Sequence, residues 1–300
     1  MSASFYCIAD SRYFLGAVGL VNSLRLVGHT EPIVLLDCGL TPEQRALLEP
    51  ETTIVPAPAE APPTMLKTIA PLARPDEVMV LIDTDMIVTR RLDEPIGAAR
   101  AGKAAAFRND IERFVAEWGE LLGLGRLERR PYLSFGMLAI GGERGLALLR
   151  ELDELQRRVD FDRTYWRERR ITDYPFLYAD QDVLNALLAA RFAPDDVLAL
   201  EQRLAPLPPF GGLEIVNERT LRCARRDGTE PYVVHHWLTK PWLEPTHDGV
   251  YSRLLRRLLA ADDVAISVPP SDVPLWLRRG VRAFAERKRI NARERLRAGR

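Results

Sequence analysis

Five consecutive apolar residues, Val78 to Ile82, run directly into Asp83-Thr84-Asp85. An unbroken apolar run of this length, without alternation, is the pattern of a strand covered on both faces. Such strands belong to parallel sheets flanked by helices. Phe5 to Ala9, Ile33 to Leu36 and Phe135 to Ile140 read as further buried strands, the last closed by Gly141-Gly142. Tyr232 to His236 reads as a late one. Between them, Tyr13 to Val27 places Leu15, Val18, Leu20, Val21, Leu24 and Val27 near helical spacing. Thr41-Pro42-Glu43 reads as a helix start, with Thr41 as N-cap and Pro42 at the first helical position. Helical patterns continue at Ile111 to Leu122, Glu143 to Val159 and Gln181 to Ala190, and Pro206 to Gly212 reads as a loop. Strands alternating with helices predict an α/β domain with a mostly parallel central sheet.

Composition narrows the partners. Lys plus Arg and Asp plus Glu each number 42, so the chain is neutral, which argues against nucleic acid as a partner. Cys7, Cys38 and Cys223 are too scattered for a disulfide framework or a zinc site, and Cys7 reads as a small core residue. The N-terminal apolar stretch is cut by Asp10 and Arg12, and no apolar run approaches the roughly 18 residues that span a bilayer. The expectation is a cytoplasmic protein. Charge is uneven along it. From Ser271 to Arg300 there are ten basic and three acidic residues, a net +7 that leaves −7 on residues 1–270. The shift at Pro269-Pro270 predicts a main domain over 1–268 and a basic tail over 269–300. Leu277, Val281 and Phe284 fall on one helical stripe with Trp276 beside it and arginines around them. That suits a helix lying on an anionic membrane surface, peripheral on the inner face. The other reading is a solvated terminal helix packed on the protein's own acidic surface.

Asp-x-Asp occurs three times, at Asp83/Asp85, Asp160/Asp162 and Asp180/Asp182. Only Asp83/Asp85 follows a buried strand directly, and open α/β sheets bind ligands beyond the carboxyl ends of their strands. A carboxylate there needs a cation. Two carboxylates two residues apart can share one hard divalent ion and leave positions open for phosphate oxygens. The bland alternative is a capped turn with solvated aspartates. Without a cation the pair is expected to repel itself. The segment Val233-Val234-His235-His236-Trp237-Leu238-Thr239-Lys240-Pro241-Trp242 adds two histidines at the end of an apolar strand. An imidazole can complete a carboxylate-bound metal site, and Mn²⁺ accepts nitrogen more readily than Mg²⁺. Lys240 could meet a phosphate as a point charge. Trp237 and Trp242 suit either sugar stacking or core packing.

With these blocks in order, the chain resembles the family 8 glycosyltransferases, which include glycogenin and bacterial lipopolysaccharide galactosyltransferases. The resemblance covers most of residues 4–243. It rests on Ala9-Asp10-Ser11-Arg12-Tyr13-Phe14-Leu15-Gly16-Ala17 with Ser23-Leu24, on Lys67, on Asp83-Thr84-Asp85, on Ser134-Phe135-Gly136-Met137 with Asp180-Gln181, and on the His…Lys-Pro-Trp block. It implies a GT-A type, Rossmann-like nucleotide-sugar-binding domain. Asp10 and Tyr13 would contact uracil, and Lys67, Thr84, Ser134, Gly136 and Lys240 would bind the rest of a UDP-sugar. Asp83, Asp85 and a histidine would hold Mn²⁺ or Mg²⁺, with Asp180 and Gln181 as catalytic residues. The chain departs from the family at Ser134, commonly Asn there, and at Phe135, where a small residue is usual. It also has four residues between His235 and Lys240, or three after His236, where the family has five. Either histidine fits as ligand, and Val233-Val234-His235 matches the family's approach to the metal.

The implied reaction transfers a sugar to a glycan, lipid-linked or protein acceptor, with retention. Retention follows from a covalent intermediate or from attack on the leaving-group face, and Asp180 serves as nucleophile in the first and charge stabiliser in the second. From the residues alone, Asp180 also reads as the N-cap of its helix, and Asp182 as a partner of the helix dipole. Two other functions are compatible with a nucleotide-sugar site. One is a sugar-phosphate nucleotidyltransferase, opposed by the lack of a Gly-rich loop after the first strand. The other is a catalytically silent sugar-nucleotide or glycan-binding protein.

Overall fold

The computed structural model describes residues 2–58, 63–245 and 249–298. The first half alternates as expected: β1 (Ala3–Ala9), α1 (Phe14–Leu26), β2 (Ile33–Asp37), α2 (Pro42–Leu48), β3 (Thr53–Pro56), α3 (Ile69–Ala73), β4 (Val78–Ile82), β5 (Met86–Val88), α4 (Asp93–Arg100) and β6 (Ala104–Arg108). The second half adds α5 (Trp118–Leu121), β7 (Leu133–Gly141), α6 (Gly142–Gln156), α7 (Tyr165–Glu168), α8 (Asp180–Arg191) and β8 (Val197–Leu200). It ends with β9 (Leu213–Asn217), β10 (Arg222–Arg225), β11 (Val233–His235), α9 (Val250–Ala260) and α10 (Val281–Ala298).

Among the described residues the central sheet runs β3-β2-β1-β4-β7-β6-β8. Every strand is parallel except β7, which runs antiparallel to β4 and β6. The order reverses beside β1, whose neighbours are β2 and β4, so the ligand crevice lies past the ends of β1 and β4. Alternation within these strands builds two cores. Phe5, Cys7, Ala9, Val78, Val80 and Ile82 face α1, α4 and α9, while Tyr6, Met79 and Leu81 face α6 and α8. That two-sided burial is why β4 is apolar at every position.

Local signals work as expected where they are strong. Thr41 accepts from the Gln44 N–H at 3.3 Å, and the Gln44 side chain accepts from the Thr41 N–H at 3.0 Å. Fully buried Asn22 ties α1 to α9, donating to the Leu258 and Ile266 carbonyls at 2.9 Å each and accepting from Ile266 N–H at 2.8 Å.

Two expectations fail locally. The helix read over Ile111 to Leu122 shrinks to α5. The Asn109 side chain accepts from Ile111 N–H, and Arg113 turns inward to the Tyr174 and Pro175 carbonyls, so tertiary bonds replace the helical ladder. The apolar stripe at Leu277, Val281 and Phe284 does not lie on one helix. Leu277 sits buried in a 3₁₀ turn, and Gly280 at φ +102° separates it from α10. Trp276 packs on the core and donates to the Pro241 carbonyl at 2.7 Å. α10 turns Ala283 and Ile290 inward and leaves Val281 85% and Phe284 55% exposed. Residues 299 and 300 of the basic tail lie outside the described residues. No helix among the described residues is long and apolar enough to cross a membrane.

His29 links the fold to pH. It is fully buried against Phe5, its Nδ1 lies 2.9 Å from Glu31 and its Nε2 accepts from Leu92 N–H at 2.9 Å. Burial lowers its pKa below the ordinary value despite Glu31. The folded state therefore binds fewer protons than the unfolded chain below about pH 6.5, so stability is lost as pH falls through that range. Urea denaturation should give a lower stability at pH 5 than at pH 7, and His29→Gln, which keeps an acceptor, should flatten that slope. An unchanged slope in the variant removes His29 from the account.

Candidate metal and nucleotide site

The β4–β5 turn meets β7 and β11 at the carboxyl end of β4. Asp83, Thr84 and Asp85 form the turn between β4 and β5, closed by Met86 N–H to the Asp83 carbonyl at 3.1 Å and tied to β7 by Asp83 N–H to the Gly136 carbonyl at 2.8 Å. β5 pairs antiparallel with β11 in a separate two-stranded sheet, placing His235 opposite Met86. That register delivers His235 to the residue after Asp85. Its Nε2 lies 3.1 Å from Asp85 Oδ1. Ligand atoms of Asp83, Asp85 and His235 all lie within 4.8 Å of one another.

These residues fit a divalent ion. Asp85 Oδ1 is buried with no hydrogen-bond partner among the described residues, and a carboxylate oxygen so placed beside an imidazole and a second carboxylate is a metal-type donor set. Gly136 makes room for it, since a Cβ there would come within 3.0 Å of His235 Cε1 and closer still to the Met86 methyl. His236 points elsewhere. Its ring packs 5.0 Å from Tyr251 and 5.7 Å from Phe210, while its N–H donates to the Asp85 carbonyl at 3.0 Å. Burial, aided by Lys240, pushes its pKa down to about 4. His235→Ala should weaken Mn²⁺ binding by at least ~100-fold, beyond what losing an outer partner costs. His236→Ala should leave it nearly intact. Mn²⁺ titration by electron paramagnetic resonance separates them, and the reverse pattern would move the ligand to His236.

Two lysines, Lys67 half-buried and Lys240 buried, neutralise the carboxylates. Lys67 Nζ lies 2.9 Å from Asp83, 3.5 Å from Asp180 and 2.8 Å from the Phe135 carbonyl, over the Phe135 ring. Although burial works against its charge, Asp83 and Asp180 raise its pKa. Lys240 donates to Asp85 Oδ2 at 2.5 Å and to the His236 carbonyl at 2.7 Å. Burial opposes ionisation of Asp85, but Lys240 and then His235 hold it well below the usual carboxylate range. Lys67 and Lys240 thus offset the self-repulsion expected from sequence, which still acts on Asp83. Asp83 is raised by burial and by Asp85, against Lys67. Asp180, nearly fully buried, is pushed up to about 6 by burial and by Asp83, again against Lys67.

Asp180 is the first residue of α8, not its cap. The cap position is Ala179, held at φ 50°, ψ −119°. That conformation costs an alanine about 1–3 kcal/mol, and such outliers concentrate at functional sites. Asp182 is more than a dipole partner. It is fully buried and bound by Arg113 at 2.9 Å, Tyr132 hydroxyl at 2.6 Å and Tyr178 N–H at 2.8 Å, locking the start of α8. Gln181 accepts from Phe135 N–H at 3.0 Å, and Ser134 Oγ accepts from Gly136 N–H at 3.2 Å, so both brace β7.

Across the crevice, Asp10 accepts from the N–H groups of Arg12 and Tyr13, both at 2.9 Å, and turns the chain into α1. Thr84 directs its hydroxyl to the Ile8 carbonyl at 3.2 Å. Tyr13 meets Trp242 edge-on at 5.8 Å and Lys240 at 5.8 Å. Trp242 is buried and donates to the Arg12 carbonyl at 2.8 Å, so it packs and is closed to sugar stacking. Trp237 is half-buried. Gly16 is required here, because a Cβ would lie 2.6 Å from the Thr84 carbonyl and 2.8 Å from Trp242. Sequence reading assigned no role to Gly16, Arg113, Tyr132 or the Phe135 carbonyl, whose partners are distant in the chain or are main-chain atoms.

No family model matches the chain, and no curated protein matches it by sequence. Solved structures do match in fold. The galactosyltransferase LgtC in complex with donor and acceptor sugar analogs has a TM-score of 0.52 at 17% identity, covering 89% of this chain and 98% of that one. An active-site mutant of LgtC gives 0.54 at 16% identity over 89% and 98%. The bifunctional glycosyltransferase WbbM gives 0.52 at 15% identity over 88% of this chain and half of its own. The fold is that of GT-A glycosyltransferases.

Proposed function

We propose that this protein is a metal-dependent, hexosyltransferase-type glycosyltransferase of family 8 that moves a sugar from a UDP-sugar to an acceptor with retention. The observation that carries the reading is the meeting of Asp83, Asp85 and His235 at the sheet's switch point, with Lys67 and Asp180 beside them. Asp83, Asp85 and His235 would hold Mn²⁺ or Mg²⁺. Bound there, the ion would supply charge neutralisation for the departing diphosphate. Lys67, kept charged by two carboxylates, adds fixed positive charge in a site that needs no reorganisation. Asp10 and Tyr13 frame the end of the crevice where uracil would lie, and Ser134, Gly136 and Gln181 shape the wall for the sugar. Asp180 faces the donor side of Lys67, as nucleophile or as stabiliser of developing positive charge. The test is donor hydrolysis across a panel of nucleotide sugars with Mn²⁺. Release of free nucleoside diphosphate supports transfer. Pyrophosphate release from a nucleoside triphosphate and a sugar 1-phosphate, assayed in parallel, would indicate a nucleotidyltransferase, and no release from any donor or pair a silent binder.

The reading extends to placement on the inner face of the cytoplasmic membrane. Exposed Val281 and Phe284 stand beside exposed Arg279, Arg282, Lys288 and Arg289, the arrangement of an interfacial anchor that would bring the site to a lipid-linked acceptor. Sedimentation with phosphatidylglycerol vesicles, at low and high salt, tests it. Phe284→Glu should reduce binding to the anionic vesicles, and identical partition of the variant and the wild type would rule the surface out.

A further inference from the structure

The charge arrangement around Asp85 bears on what the site accepts, given the metal-dependent reading above. Three carboxylates, Asp83, Asp85 and Asp180, meet two ammonium groups, Lys67 and Lys240. Lys240 is only 7% exposed, and its ammonium sits on Asp85 Oδ2 with its other bond to the His236 carbonyl. Asp85 therefore has one oxygen taken by a fixed cation and one, Oδ1, turned to His235 without a hydrogen-bond partner among the described residues. A divalent ion taken by Asp83, Asp85 and His235 would stand one carboxylate away from the Lys240 ammonium. Like charges that close in a buried site repel strongly, because little water screens them. A diphosphate reverses the balance. It would bring at least two negative charges and offer both the ion and Lys240 a further anionic partner.

We propose that Lys240 makes cation binding conditional on an anionic co-ligand, so that the site takes up a metal–diphosphate pair and discriminates against the free ion. Lys240 is then a specificity-determining residue of the site as well as a phosphate contact. Its competition with the metal is distinct from a structural role in closing the 236–240 turn. A structural role predicts that losing Lys240 loosens Asp85 and weakens the metal. The charge argument predicts the opposite sign. Linkage further requires that UDP tighten Mn²⁺ by the same factor as Mn²⁺ tightens UDP.

The experiment titrates Mn²⁺ into the full-length protein alone, with saturating UDP, and with uridine, following free Mn²⁺ by electron paramagnetic resonance. In the wild type, UDP should tighten Mn²⁺ on the order of tenfold or more, and uridine, which lacks the diphosphate, should not. Lys240→Met, close in volume and uncharged, should bind Mn²⁺ alone roughly tenfold more tightly than wild type, with a much smaller effect of UDP. Lys240→Arg keeps the charge and should behave as wild type. Lys240→Gln, also uncharged but still able to donate a hydrogen bond, should show the same tighter Mn²⁺ binding and keeps the test open if Lys240→Met folds poorly. Mn²⁺ affinity unchanged or weaker in folded Lys240→Met would overturn the inference, as would equal coupling by uridine and UDP. Those results leave the glycosyltransferase reading standing. A wild type that binds no Mn²⁺ even with UDP would overturn both.

Discussion

Asp85→Ala should abolish Mn²⁺-dependent UDP binding and also lower the stability of the fold. The stability loss comes from Lys240. Asp85 is its carboxylate partner at 2.5 Å, with side chains 7% and 11% exposed, and removing one member of a buried pair costs about 3–5 kcal/mol. Asp83→Ala should lose the same binding at a smaller cost. Its carboxylate is 28% exposed, and Lys67 keeps Asp180 and the Phe135 carbonyl when Asp83 is gone. The two variants thus share a binding defect and differ in stability, a pattern that a general unfolding effect does not produce. Titration calorimetry with UDP and Mn²⁺, run beside urea denaturation, reads both. Wild-type UDP affinity in both variants would remove the metal site from the proposed function.

Asp180→Asn should reduce turnover on the order of 10²–10³-fold while changing the donor KM little, the signature of an interaction made mainly in the transition state. The substitution preserves volume at a position 3% exposed, so packing is nearly unchanged. It removes the charge that faces Lys67 at 3.5 Å. Because Ala179 and not Asp180 occupies the cap position, a drop in turnover cannot be charged to a lost helix cap. Equal losses in turnover and in donor affinity would instead place Asp180 in ground-state binding. Unchanged turnover would leave it only as a partner of Lys67.

Much of this arrangement is local and therefore legible in the chain. The apolar run Val78–Ile82 becomes β4 at the positions read from the sequence because burial on both faces demands it. Thr41, Pro42 and Gln44 set the start of α2 through bonds within four residues. Asp83 and Asp85 are marked by their place at the end of a buried strand. What the sequence leaves open is pairing across long separations. The choice between His235 and His236 is made by the β5–β11 register, which turns one ring toward Asp85 and the next into the Phe210 and Tyr251 rings. Alternation along a strand puts neighbours on opposite faces, and only the partner strand says which face is which. Arg113 finds Asp182 69 residues away, and that bond undoes a helix its own periodicity favoured. Lys240 reaches Asp85 from 155 residues along the chain. The sequence by itself determined β1, β2, β4 and β7 at the centre of the sheet, the carboxylates and the cations available to them. The tertiary structure decided which cation meets which carboxylate, because electrostatic partners in a buried site are set by distances of a few ångströms that no local pattern encodes.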